Sequence, residues 1–262
     1  MRIDVDGLAC HVATAGPAPA SGAPVLVLVH GAANDHAAWH DLMPLLAARG
    51  VAALAPDLPG HGRSAGAPPA SIEAAADWLL ALLDALRLSG VAVAGHSMGS
   101  LIALEAAARG GARVGRLALL GATAPMPVSD ALLDAARTTP DAACRMVTLW
   151  SHTPAFFAAG GGGHGVWGPG RTLAVMRRNA TTLAGDLANC NDYRNGLAAA
   201  AAVDCPTLLL LGRRDRMTPP RSVQPLQDAL RRATRQEIDG CGHALMVERP
   251  AAVAAALADF VA

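Results

Sequence analysis

At 262 residues, with 21 Lys plus Arg balanced by 21 Asp plus Glu, the chain can bury a full core as one α/β domain and carries no net charge. That balance, with no basic cluster interleaved with aromatics, leaves no electrostatic ground for binding nucleic acid or an anionic membrane. The start, Met1-Arg2-Ile3-Asp4-Val5-Asp6, has acids where a leader would be apolar, and no apolar run nears the eighteen or so residues of a membrane span, so a soluble cytoplasmic protein is expected.

In chain order, the segments around Ile3-Asp4-Val5 and Ala9-Cys10-His11-Val12 fit a small antiparallel edge hairpin. Apolar runs at 25–29, 51–55, 91–94, 117–120 and 207–211 have strand length, and 235–238 suits a last strand. Helical patterns at 36–49, 71–88 and 100–109 separate the early runs, and a closing helix covers 250–261. Continuous apolar strands alternating with helices indicate an α/β fold: a mostly parallel, doubly wound, eight-stranded sheet covered on both faces. The rhythm changes between 122 and 202. There 130–150 and 171–187 have helix-like spacing without strands, and Gly160 to Gly163, with Gly165, Gly168 and Gly170, suggest a mobile crossing. The expected organisation is a core of residues 1–121 and 203–262, with a helical lid, 122–202, inserted after the sixth strand. Such a lid would lie over the C-terminal strand ends, where open α/β sheets place their ligands.

Cys10, Cys144, Cys190, Cys205 and Cys241 are odd in number, scattered and without a C-x-x-C pair. They read as buried thiols of a reducing compartment rather than a disulfide framework or a zinc site. His36, His40, His152 and His164 show no ligand spacing with acids or cysteines, so no metal is expected.

The chemistry concentrates in Gly95-His96-Ser97-Met98-Gly99, which joins the strand run 91–94 to the helix 100–109. A Gly-x-Ser-x-Gly at such a junction is a nucleophile elbow: the serine takes a strained conformation, and the glycines admit neighbouring backbone. A serine hydroxyl needs a base, usually histidine held by a carboxylate, and the elbow is followed along the chain by acid and then histidine. Asp215 stands just past the apolar run ending at Leu211, and His243 lies in Gly240-Cys241-Gly242-His243 beyond the last strand. Asp239 and Asp204 are weaker candidates for the acid. Early in the chain, His30-Gly31-Ala32-Ala33-Asn34 follows the run 25–29, where a backbone N–H can face a reacting carbonyl oxygen. His30 and Asp57 fit loop bracing, His61 belongs to the Pro-Gly-His-Gly turn, and His96 fits a packed, hydrogen-bonded role.

These segments, with Asp57-Leu58-Pro59-Gly60-His61-Gly62-Arg63-Ser64 and Glu248-Arg249-Pro250, span nearly the whole chain in order. Together they resemble the α/β-hydrolase superfamily, in its lidded, serine esterase-like form. The resemblance implies Ser97 as nucleophile, His243 as base, Asp215 as orienting acid, and the amides of Ala32 and Met98 as oxyanion hole. Ala33 is the alternative donor. Ala33, Met126, Trp150, Phe156, Trp167, Met217 and Met246 are the expected substrate contacts.

The expected activity is hydrolysis of a carboxylic ester or lactone of a small, largely apolar substrate through an acyl-enzyme on Ser97, with no cofactor, as a monomer or homodimer. Thioester or carbon–carbon bond hydrolysis are alternatives within the enzyme class. A hydrolase-like ligand receptor with little turnover is the alternative of another class. Serine rather than aspartate at the elbow argues against dehalogenase and epoxide hydrolase chemistry.

Overall fold

In a computed structural model describing residues 1–19, 22–159 and 167–262, each predicted strand run joins one sheet. The strands are β1 (Arg2–Val5), β2 (Leu8–Ala15), β3 (Val25–Val29), β4 (Ala52–Pro56), β5 (Val91–His96), β6 (Val114–Leu120), β7 (Thr207–Gly212) and β8 (Ala233–Ile238). Their order is β1-β2-β4-β3-β5-β6-β7-β8. The β1–β2 and β2–β4 pairs are antiparallel, and β4 to β8 run parallel.

Strand periodicity divides the core in two. Val27, Val29, Val93, Leu117, Leu119, Leu209 and Leu211 pack with α2 (Ile72–Ala85) and α3 (Met98–Gly110) on one face. Leu26, Leu28, Ala92, Ala94, Ala118, Leu120, Leu208 and Leu210 pack with α1 (Met43–Ala47) and α12 (Pro250–Val261) on the other. Alternate residues of a strand point to opposite faces, so a strand covered on both sides must be apolar throughout. The short α10 (Gln224–Ala229) and α11 (Leu245–Glu248) complete the core helices.

The helix expected over 36–49 is two pieces: a 3-10 turn, His36–Trp39, and α1. Asp35 caps the first by accepting from Ala37 N–H at 2.8 Å. Pro44 has no N–H for the His40 carbonyl and would crowd it, so the helix restarts there.

Between β6 and β7 lie α4 (Asp130–Thr138), α5 (Pro140–Ser151), α6 (Pro154–Ala158), α7 (Gly168–Arg178), α8 (Leu183–Asp192) and α9 (Gly196–Ala202). This helical insertion has its own apolar cluster, including Leu132, Cys144, Met176, Leu183 and Leu187. Pro140 breaks the helix expected over 130–150 by pushing Thr139 out of helical geometry. The helix expected over 171–187 splits into α7 and α8 at a turn begun by Asn179. Gly168 and Gly170 sit in the first turn of α7 rather than in a crossing, whereas Gly160 to Gly163 and Gly165 lie outside the described residues. All five cysteines are free, with only Cys205 half-buried and the rest buried. Among the described residues, no helix is long and apolar enough to cross a membrane.

Candidate active site

β5 ends at His96 and α3 begins at Met98, so Ser97 alone turns the chain, at φ +54° and ψ −120°. Such a conformation costs a non-glycine residue about 1–3 kcal/mol and persists only when the surroundings impose it. A Cβ on Gly95 would lie 2.0 Å from the Gly99 carbonyl oxygen, and one on Gly99 would lie 2.2 Å from that of Val29. Both obstacles are backbone atoms, which cannot swing away. Ser97 N–H donates to the Leu120 carbonyl at 3.0 Å, and Ser100 N–H returns to the Ser97 carbonyl at 2.8 Å.

Asp215, buried at the end of β7, accepts four hydrogen bonds. Oδ1 takes the N–H groups of Met217 at 2.8 Å and Thr218 at 2.9 Å. Oδ2 takes the Thr218 hydroxyl at 2.7 Å and His243 Nδ1 at 2.8 Å. Burial would raise this carboxyl's pKa, but the His243 charge and these hydrogen bonds outweigh it and hold Asp215 below the usual carboxylate range. An ionised carboxylate only accepts, so His243 Nδ1 carries the proton. The ring's other hydrogen bond, to Thr218 Oγ1 at 3.2 Å, is also at Nδ1, leaving Nε2 as the basic nitrogen. Among the described residues no hydrogen bond joins Ser97 Oγ to this ring. Contacts of that kind commonly tighten only with substrate in place.

The His243 backbone is held from two sides. His96 Nε2–H donates to its carbonyl at 2.9 Å, while Ala244 N–H reaches the Ser151 carbonyl at 2.9 Å. Burial, reinforced by the His243 charge, pushes His96 down to about 3, so it is a neutral donor.

Ser97 and His243 share the walls of two cavities with Ala32, Leu187 and Met217. The larger, about 330 Å³, adds Met126, Leu132 and Trp150. The smaller, about 60 Å³, adds Met176, Met246 and the Arg171–Asp41 ion pair. Of the expected contacts, Met126, Trp150, Met217 and Met246 therefore line the site. Ala33, Phe156 and Trp167 are not among the described residues lining these two cavities. Phe156 stacks on His152 with ring centroids 5.6 Å apart, and the half-exposed Trp167 packs edge-on against Phe157. The amides of Ala32 and Met98 have no hydrogen-bond partner among the described residues, whereas Ala33 N–H is occupied by Asp186 Oδ2 at 2.8 Å.

Residues 26–256 match the model of the alpha/beta hydrolase family. The chain belongs to that family. Pimeloyl-[acyl-carrier protein] methyl ester esterase of Neisseria meningitidis serogroup C is 32% identical to this hydrolase over 259 residues, covering 89% of this chain and 92% of the relative. In fold it is similar to the enol-lactonase of Burkholderia xenovorans LB400, with TM-score 0.84 and 24% identity over 100% of this chain and 99% of that one. It is equally similar to a thermophilic esterase from Thermogutta terrifontis, with TM-score 0.84 and 22% identity over 100% and 97%.

The remaining polar residues of this hydrolase brace its loops. His30 Nδ1–H donates to the Gly31 carbonyl at 2.9 Å, and Nε2 accepts Leu58 N–H at 3.1 Å. Burial and the nearby His61 hold it neutral, with a pKa near 4. Asp57 accepts from the N–H and ring of His36 and from Arg63 N–H, at 2.7, 2.8 and 2.9 Å. The weaker acid candidates pair elsewhere, Asp239 with Arg213 and Asp204 with Arg231. Ligand atoms of His11, His36 and Asp57 lie within 4.8 Å of one another, the one described cluster with the make-up of a metal site. Its Asp57 oxygens are already engaged as above.

Sequence reasoning gives no role to three contributors, of which Glu248 enters only as part of a family-like segment. Thr218 completes the Asp215–His243 contact, and only its place three residues beyond Asp215 could have flagged it. Glu248 accepts Gly242 N–H at 2.9 Å and the Thr153 hydroxyl at 2.6 Å, tying the histidine loop to the insertion. Asp186 has no local signal at all.

Proposed function

We propose that the protein is a serine hydrolase cleaving carboxylic esters or lactones of small, largely apolar substrates through an acyl-enzyme on Ser97. A cap, residues 122–202, would roof the site on a core of 1–121 and 203–262. The observation that carries this reading is the 2.8 Å contact of His243 Nδ1 with the buried Asp215 carboxylate, in a histidine that lines both cavities together with the elbow serine.

In the proposed reaction, Ser97 Oγ attacks the ester carbonyl carbon as its proton passes to His243 Nε2. The developing oxyanion is met by the unpartnered amides of Ala32 and Met98. One such donor is typically worth about 3–4 kcal/mol of barrier. The imidazolium then protonates the departing alkoxide, and the carbonyl re-forms as the Ser97 ester. Water, deprotonated by the same nitrogen, attacks that ester, and collapse returns the proton to Ser97 and releases the acid. Asp215 stays ionised throughout, holding the ring and stabilising its charged form.

Support for an ester comes from the relative of 32% identity, whose name specifies a methyl ester. The larger cavity has the size of a site for a small molecule, about 300–1,000 Å³, and mixes apolar walls (Met126, Leu132, Trp150) with polar ones (Ser129, Arg216, Thr218). The smaller cavity would take the second arm of the ester. A panel of p-nitrophenyl esters of increasing acyl length, assayed with the protein and with Ser97→Ala, tests this. Multiple turnover that vanishes in Ser97→Ala supports the reading. Undiminished turnover in that variant, or ligand binding without turnover in the parent, contradicts it.

A further inference from the structure

The insertion grips the loop after β3 at Asp35, which accepts from Arg178 at 2.9 Å and Asn179 at 3.1 Å, and, by two means, at Ala33. Ala33 has φ +49°, a conformation a side chain rarely adopts. Its methyl group, fully buried, belongs to the insertion's apolar cluster with Leu132, Met176, Leu183 and Leu187. Its N–H donates to Oδ2 of Asp186, on α8. The carbonyl of the same 32–33 peptide accepts Asn34 Nδ2 at 2.9 Å, so that peptide is clamped at both ends.

The same Asp186 oxygen accepts two further donors, His61 Nε2 and Thr182 Oγ1, each at 2.9 Å. His61 Nδ1 lies 2.9 Å from the Pro59 carbonyl, which can only accept. Both ring nitrogens of His61 thus face acceptors, the arrangement of an imidazolium against a carboxylate, and both side chains are almost wholly buried. Burial lowers the His61 pKa, but the hydrogen bond and charge of Asp186 raise it above the ordinary value. Of the other titratable groups facing this ring, His30, 5.2 Å away, is held neutral, and the more distant Asp57 acts in the same direction as Asp186.

The Ala32 N–H lies in the 31–32 peptide, whose Gly31 carbonyl is held by His30 and Asn34. We propose that Asp186 is a positioning residue: by fixing the adjoining 32–33 peptide, the cap completes the aim of that N–H at the oxyanion. The proposal rests on Ser97 being the nucleophile. A carboxylate oxygen at this point serves Ala33 and His61 together. A carboxamide serves them less well. With its oxygen there, both donors keep an acceptor, but the charge that holds the second His61 proton is gone, and a neutral His61 sets one lone pair against an acceptor. With its NH₂ there, Ala33 N–H loses its acceptor.

The test is Asp186→Asn, assayed with p-nitrophenyl butyrate, a trifluoromethyl ketone that forms a tetrahedral oxyanion adduct, and butyrate as a ground-state competitor. Misaligning one donor should lower kcat by about 10- to 100-fold and weaken the ketone by a similar factor, leaving KM and butyrate inhibition within about threefold. A merely structural residue would not separate the ketone from butyrate. Wild-type kcat and ketone affinity in a variant of unchanged melting temperature would overturn the proposal, as would equal weakening of ketone and butyrate. Should Asp186→Asn fail to fold, His61→Gln removes the charge partner and should show the same separation to a smaller degree; no separation there overturns it too. Turnover persisting in Ser97→Ala would instead remove the underlying reading.

Discussion

Replacing Asp215 by Asn changes one atom and should cost nearly all activity. The carboxamide has a single allowed orientation: its oxygen must stay at Oδ1, where the N–H groups of Met217 and Thr218 converge. The NH₂ group then replaces Oδ2 and faces His243 Nδ1, 2.8 Å away. Two donors cannot share that contact, so His243 must move its proton to Nε2 and present Ser97 with an N–H in place of a lone pair. Loss of the correct tautomer costs triads about 10⁴ in kcat, or about 5 kcal/mol of barrier. Stability should fall by much less, roughly 1–3 kcal/mol, because both Oδ1 bonds survive. The assay is p-nitrophenyl butyrate turnover, normalised to folded protein by thermal melting. A folded Asp215→Asn variant within tenfold of wild-type kcat would refute the assignment of base and acid.

Other perturbations have equally defined outcomes. Gly99→Ala drives a methyl group against the backbone oxygens of Val29 and His30, at 2.2 and 2.5 Å. Separating α3 from β3 should cost about 3 kcal/mol or more, read as lost soluble yield and a lower melting temperature; wild-type melting would contradict it. Glu248→Ala removes the acceptor of Gly242 N–H and of the Thr153 hydroxyl and should destabilise by about 1–3 kcal/mol in urea unfolding. Acid should also destabilise the fold, because His30 and His96, near 4 and 3, stay neutral while their unfolded counterparts take up protons below about 6.5. Between pH 6.5 and 5 that amounts to about 2 kcal/mol for each histidine, with stability decreasing as pH falls. His61, raised instead, has the opposite sign: its contribution is full below about 6.5 and is lost as pH rises through its folded pKa. Melting curves at pH 5, 7 and 9 check both limbs, and a flat profile from 7 to 5 would contradict neutral buried imidazoles.

The sheet was legible because parallel strands buried on both faces are continuous apolar runs, and β3 begins and ends where its run does. β8 was blurred by its alternating exposure at the sheet edge, where Thr234, Arg235 and Gln236 hide the pattern. Helix boundaries failed where proline intervenes, at Pro44 and Pro140, since apolar spacing carries across a break that backbone chemistry enforces. Ser97, Asp215 and His243 could be found because each sits on a loop whose neighbours are locally constrained. Asp186 could not, because its role comes from packing α8 on a loop some 150 residues earlier. Trp150, Phe156 and Trp167 all suit an apolar helix face, and spacing alone does not distinguish a cavity wall from the insertion's own packing.

The most direct measurement is the site of covalent capture. After reaction with a p-nitrophenyl alkylphosphonate, intact-mass analysis and peptide mapping should find one phosphonyl group per chain, on Ser97, accumulating in step with loss of esterase activity. Full inactivation with the group on another residue, or esterase activity that survives complete labelling of Ser97, would contradict the account.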